Sequence, residues 1–315
     1  MKNGGTKGPF NYNIELLRLL AAFGIVLFHG GENVAGRLVG YGGLVVFTVL
    51  LVLFLPKPDA RGSWQAVQAR FVRLLVPWAA WSLIYGLVNM LRGWAPIART
   101  GLFPFGILAG PEAHLWFLPF AFLVTCAVLL AEAWLPLGER GAGISGRFRI
   151  HWAAVLWAVA ALAGLAVLVR WRMSGATDGF PAPVGQWAHD APAVFAGLFF
   201  RYEESPLSRW IFVLLFAAVS AYAVSIGDSG VGIPYLSGTL FLMAFITAPD
   251  FADARIRAYS ACALGVYLVH PLFYMGARKV FGQIDFLSAS ATFCVSLAAV
   301  YWARKVEVLP VKKII

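Results

Sequence analysis

Residues 14–30 read IELLRLLAAFGIVLFHG. Two of them do not belong on an apolar helix: Arg18 near its start and His29 near its end. Their separation of 11 positions is very nearly three turns at about 3.6 residues per turn, so both side chains leave the helix on one side. Along the axis they stand roughly 16 Å apart, at about 1.5 Å per residue. One face therefore carries a fixed cation at one membrane surface and a titratable imidazole near the other. Ionisable side chains are costly inside a bilayer, and where they occur they mark working sites.

The remainder of the chain has the same character. Of its 315 residues 60% are hydrophobic and only 13% are charged, against about 25% charged in a soluble domain. Apolar stretches recur at about 14–31, 40–55, 74–91, 114–133, 151–170, 187–200, 208–226, 231–248, 259–277 and 285–303. Helices of about 20 apolar residues are what a hydrocarbon layer of about 30 Å requires. The pattern predicts an all-α fold: a polytopic transmembrane bundle of about ten helices, forming one membrane domain over residues 1–315. The net charge of +10 describes topology, not a nucleic-acid partner. With the N-terminus inside, 17 Lys and Arg fall in inner segments and seven in outer ones, Arg18 set aside. That bias predicts both termini in the cytoplasm. Cys126, Cys262 and Cys294 lie in apolar spans without metal-ligand spacing and read as core-filling thiols. No cleavable signal peptide is expected.

Further along, Arg70 and Arg73 precede the third span, inside an expected inner loop over 56–75. A three-residue spacing puts them on one helix face, and a topology anchor is the plain alternative. Pro77 follows and is expected to start or kink the span. His114 opens the fourth span ahead of Leu-Trp-Phe-Leu, where an interfacial ring is again the plain reading. Residues 152–248 carry the least information. There Arg201, Glu203 and Glu204 read as a solvated ion-pair cluster. In the ninth span, YSACALGVYLVHPLFYMGA, His270 lies deep and Pro271 follows it, freeing a carbonyl one turn earlier.

These stretches together resemble a known family. Arg18, ten intervening residues and His29 resemble the opening of the bacterial membrane acyltransferase family 3, typified by O-acetyltransferases of surface polysaccharides. Arg70-x-x-Arg73, HLWFL at 114–118 and GVYLVHP at 265–271 fit the family's later motifs in order. The resemblance implies a multi-pass enzyme of the bacterial cytoplasmic (inner) membrane that uses acetyl-CoA or another acyl-CoA and no metal. It implies a polysaccharide or lipid-linked sugar as acceptor, with membrane lipid around the protein. It makes His29 and Arg18 catalytic, Arg18, Arg70 and Arg73 the donor-binding cations, and His114, Trp116, Tyr267 and His270 the acceptor side. One departure stands out: the family's Ser-Gly pair in the second helix is replaced by FTVLLVLF, with Thr48 the nearest hydroxyl.

Residue reading and resemblance agree on geometry. Guanidinium groups bind phosphate well and gather on the inner side, whereas His29, His114 and His270 map to the outer half. An imidazole suits the removal of a proton from a sugar hydroxyl; whether His29 is base or transient acyl carrier stays open. A transporter or flippase of a lipid-linked saccharide would use the same buried Arg and His. It is expected to show discontinuous helices in two matching halves, which the sequence lacks.

Overall fold

Asn11 begins the first helix by accepting the backbone N–H of Asn13 at 2.9 Å, a side-chain cap for an otherwise orphaned donor. The helix, α1, runs Tyr12–His29. In this computed structural model, which describes residues 11–31, 36–56, 62–97, 105–134 and 152–305, the chain continues as helices α2 (Arg37–Leu53), α3 (Gly62–Arg70), α4 (Val76–Leu91) and α5 (Phe117–Trp134). Then follow α6 (Trp152–Met173), α7 (Val184–Tyr202), α8 (Pro206–Ser225), α9 (Ser229–Thr247), α10 (Ile256–Ser260), α11 (Ala263–Phe281) and α12 (Phe286–Lys305). The basic loop 136–150 lies outside the described residues, as do the cations at 2, 7, 57, 61, 99, 312 and 313.

The expected all-helical, polytopic bundle is what forms. Among the described residues six helices are long and apolar enough to cross a membrane: Tyr12–His29, Trp64–Leu91, Trp152–Met173, Pro206–Ser225, Ser229–Thr247 and Phe286–Lys305. Arg37–Leu53 and Phe117–Ala133 are shorter apolar helices. The other two long helices, α7 and α11, carry the polar residues Asp190 and His270 in their interiors. Large apolar side chains such as Leu83, Leu87, Leu156, Val159 and Leu214 stand exposed along the bundle's flanks. In water so much exposed apolar surface marks an interaction site; here it faces lipid.

Two sequence expectations are corrected. Within the loop expected over 56–75, residues 62–75 are helical: α3, a π-helical stretch Phe71–Leu75 and α4 are continuous from Gly62 to Leu91. Pro77 lies inside this continuous helix, directly after the π-helical stretch, where the hydrogen-bond ladder is already irregular and its missing N–H is accommodated. The ninth span is broken rather than continuous, with α10 ending at Ser260 and α11 starting at Ala263. Of the cysteines, Cys262 is buried but Cys294 is exposed, so only part of the core-thiol expectation holds.

Helices α1 and α2 form the spine of the bundle. They pack on each other, while α2 also meets α7 and α9 and α1 meets α10, α11 and α12. Close approach is possible because glycine faces glycine. A Cβ added at Gly24 would sit 2.5 Å from the carbonyl oxygen of Gly40, and the reverse substitution is equally blocked. Small residues at such crossings replace the missing hydrophobic drive between helices in lipid. One core lies among α2 and α6 to α9, around Phe199, Phe212, Phe216 and Tyr235. The other lies among α1, α4, α5, α11 and α12, around Trp81, Tyr85, Leu115 and Leu268. At the Arg18 end, buried Asn13 fastens α1 to the segment after α9. Its amide donates to the carbonyl of Pro249 at 2.9 Å and accepts from the N–H groups of Phe251 and Ala252, each at 3.1 Å.

Candidate active site

The three histidines expected on one side come together. The rings of His29 and His270 are 5.2 Å apart between centroids, those of His114 and His270 5.4 Å, and those of His29 and His114 6.2 Å. They arrive from three separate elements: the end of α1, the turn before α5, and the middle of α11. His114 and His270 are buried, and His29 is half-buried, which makes it the member of the trio open to a substrate. The plain reading of His114 as an interfacial ring therefore fails. Among the described residues no group of three or more His, Cys, Asp or Glu side chains is arranged to hold a metal ion.

Pro271 explains how His270 is oriented. Proline has no N–H, so the carbonyl of Tyr267, one turn earlier, loses its helical donor. The Nδ1 of His270 takes up that role: it lies 2.8 Å from the Tyr267 oxygen and 3.2 Å from the Val266 oxygen. Carbonyl oxygens only accept, so Nδ1 carries the proton and, in the neutral ring, Nε2 carries the free lone pair. That Nε2 is buried without a hydrogen-bond partner among the described residues, as is the Nε2 of His114. Fixing one ring nitrogen to a carbonyl leaves the other in a defined state.

Tyrosines hold the frame. The Tyr267 hydroxyl donates to the carbonyl of His114. Tyr85 on α4 donates to the carbonyl of Leu268 at 2.7 Å, and Tyr274 donates to that of Val26 on α1 at 2.5 Å. Tyr267 also packs its ring 5.3 Å from His114 and 6.2 Å from His270. Trp116, expected on the acceptor side, is buried with its ring 5.8 Å from those of Phe117 and Phe120, and Phe117 in turn lies 5.9 Å from Tyr267.

At the other end of α1, Arg18 is half-buried and forms an ion pair with Glu15 at 2.8 Å. Glu15 also accepts the hydroxyl of Ser260. Arg70 stands within electrostatic range of Arg73 and Arg18, and Arg73 within range of Arg18, Arg304 and Glu15. Beside them a cleft is lined by Ala258, Ala261, Cys262, Tyr301, Arg304 and Lys305. Like charges crowded in this way repel one another and favour the arrival of an anion. Reading the sequence alone assigned Arg304 and Lys305 only to topology, because a basic residue closing an apolar span carries that meaning by default.

A polar group that the sequence reading passed over lies on α7. Asp190 is almost fully buried, and Thr48 of α2 donates to its Oδ2 at 2.5 Å. The signal was present, since an acid within an apolar span is itself unusual. Arg201 likewise corrects its expectation. It is buried, its Nε 2.6 Å from Glu132 Oε1, and its guanidinium caps the carbonyls that end α2 rather than joining a solvated cluster.

A multi-helix membrane protein with an internal imidazole trio at one end and a guanidinium cluster at the other is thus defined. Its family is known as well: the chain belongs to acyltransferase family 3, since a family model described as an acyltransferase domain matches residues 11–305. It is a membrane acyltransferase. Comparison with curated proteins and with solved structures gives no match.

Proposed function

We propose that the protein is an O-acyltransferase that moves an acyl group, acetyl in the first instance, from cytoplasmic acyl-CoA to a sugar hydroxyl. The acceptor is a cell-surface or exopolysaccharide sugar, or its lipid-linked precursor, and the enzyme resides in the bacterial cytoplasmic membrane with both termini inside. One observation carries this reading: three imidazoles converge at the end of α1 remote from the guanidinium cluster. CoA brings several phosphate charges, and Arg18, Arg70 and Arg73, with Arg304 beside them, supply the matching fork-shaped donors. The roughly 16 Å from Arg18 to His29 is comparable to a pantetheine arm, so phosphates held at one end leave the thioester near the imidazoles.

The chemistry then needs a base and a proton donor at one place. In the direct route His29 takes the proton of the acceptor hydroxyl as its oxygen attacks the thioester carbonyl. The C–S bond breaks and the thiolate recovers the proton, so the ring ends neutral. In the two-step route a neutral ring nitrogen of His29 attacks the thioester carbonyl, the C–S bond breaks and CoA leaves as thiolate. The hydroxyl then attacks the acyl-imidazolium, the N–acyl bond breaks, and the hydroxyl proton passes by way of the ring to the thiolate. In both, the bond from Nδ1 to the Tyr267 carbonyl fixes the His270 ring 5.2 Å from that of His29, with its Nε2 left unpartnered. A burst of CoA release equal to the enzyme concentration would mark the second route.

Two measurements test the reading. Replacing Arg70 and Arg73 by Lys keeps the positive charge but loses the guanidinium fork. Acetyl-CoA is expected to bind at least tenfold more weakly to the double variant by calorimetry, and unaltered binding would leave the pair as a topology anchor. For sidedness, radiolabelled acetyl-CoA is supplied only to the outside of sealed inside-out vesicles. Ester-bound label is expected in lumenal carbohydrate, protected from added esterase. Label exposed to the esterase would place donor and acceptor on one side.

A further inference from the structure

Helix α7 enters the bundle from the His29 end, and Asp190 sits six residues along it, about 9 Å in at 1.5 Å per residue. Its carboxyl is half satisfied. Oδ2 accepts from Thr48 at 2.5 Å, while Oδ1 is buried with no partner among the described residues. The preceding residue adds a second such atom: the Nε2 of His189 is buried and unpartnered too. A polar atom left in this state inside a membrane bundle is expensive. Two adjacent ones are retained where a ligand completes them.

The surroundings say which ligand. Tyr41 lies 5.4 Å from the His189 ring and stacks on Phe28 at 4.0 Å, and the Phe28 ring is 5.3 Å from that of His29. A run of ring contacts therefore leads from His29 to His189, the residue before Asp190. The backbone here is held by Tyr235 of α9, which donates to the carbonyl of His189 at 2.5 Å, three residues before the intrahelical Pro192. A carboxyl oxygen that accepts and an imidazole nitrogen, with the Tyr41 phenol within electrostatic range of the carboxyl, together match a polyhydroxylated ligand. Its hydroxyls would meet the unpartnered carboxyl oxygen and imidazole nitrogen.

We propose that Asp190, His189 and Tyr41, with Thr48 orienting the carboxyl, form the acceptor subsite, which holds a hydroxyl neighbouring the one acylated at His29. The proposal rests on the acyl-transfer reading above. It also gives Thr48 a role in place of the family's Ser-Gly pair: Thr48 acts through Asp190 as a positioning residue.

The test uses the full-length protein in detergent, with radiolabelled acetyl-CoA as donor and n-octyl β-D-glucopyranoside as acceptor probe, and measures acetylated glucoside against free acetate. Asp190→Asn is expected to lower that ratio at least tenfold, and Asp190→Glu to restore part of it. Thr48→Val is expected to lower it severalfold; if the Asn variant fails to fold, Thr48→Val and Tyr41→Ala carry the same readout. A merely structural role would depress ester and acetate together and leave the ratio where it was, which would overturn the subsite. So would a wild-type protein that releases acetate through His29 but never acetylates the glucoside. A wild-type protein that releases no acetate at all would remove the donor reading, and the subsite with it.

Discussion

His29→Ala is expected to reduce acetyl transfer by about 10²–10⁴-fold, the contribution typical of a positioned proton-transfer group, while leaving acetyl-CoA binding within about twofold. The structure separates the two effects. His29 is at the last position of α1, about 16 Å by helical rise from Arg18, so its removal does not touch the guanidinium cluster. Alanine is also the best helix former, and His29 is half-buried rather than packed into the core, so the variant should insert and purify as wild type does. His114 and His270 remain in the variant, yet both are buried, and the Nδ1 of His270 is committed to the Tyr267 carbonyl. Neither is placed to replace an open imidazole. The measurement is transfer of labelled acetyl by purified protein alongside calorimetric donor binding. Transfer within tenfold of wild type would move the chemistry to another member of the trio.

Much of this site was legible because intramembrane polarity is rare, and rarity is what a sequence displays. Arg18 and His29 share a face by helical arithmetic alone, and Pro271 after His270 announces a freed carbonyl. What could not be read was convergence. Nothing in the spacing of His114 and His270 states that their rings lie 5.4 Å apart, because that distance is set by how α4, α5 and α11 cross. The cationic end was half legible for a different reason. Arg304 at the end of α12 has the same appearance whether it anchors topology or lines a cleft within electrostatic range of Arg73. Asp190 was visible and undervalued, its significance lying in the partner from α2 and not in its own neighbours.

The continuous helix over Gly62–Leu91 was missed on local grounds. Its first turns, GSWQAVQAR, are polar enough to look like a loop, but they project beyond the apolar part of the helix and need no hydrophobic pattern. This extension matters to the site, since it fixes Arg70 and Arg73 on rigid backbone instead of a tether. In the proposed acyl-CoA reading, phosphate contacts made from a helix would hold their geometry between turnovers and bring the thioester to a constant depth.

The largest expected loss of stability comes from Glu132→Ala. Arg201 is 4% exposed and Glu132 9% at the side chain, with Nε and Oε1 2.6 Å apart and a second contact between Nη2 and Oε2 at 2.9 Å. The same guanidinium donates to the carbonyls of Leu55 at 2.5 Å and Pro56 at 3.1 Å, and Tyr202 donates to Oε1 of Glu132 at 2.6 Å. One carboxylate thus binds α5 to α7 and, through Arg201, to the end of α2. Removing it leaves a buried cation beside carbonyl dipoles and no counter-charge, a change that costs about 3–5 kcal/mol when one member of a buried pair is deleted. Thermal unfolding of the detergent-solubilised protein should show a large fall in Tm. The double variant Glu132→Leu with Arg201→Leu should recover most of it, because removing both charges also removes the desolvation cost of each. Acyl transfer measured well below the new Tm should stay near wild type, since α5 and α7 meet here at the end of the bundle away from the imidazoles. A single variant as stable as wild type, or a double variant less stable than the single, would contradict the buried-pair account.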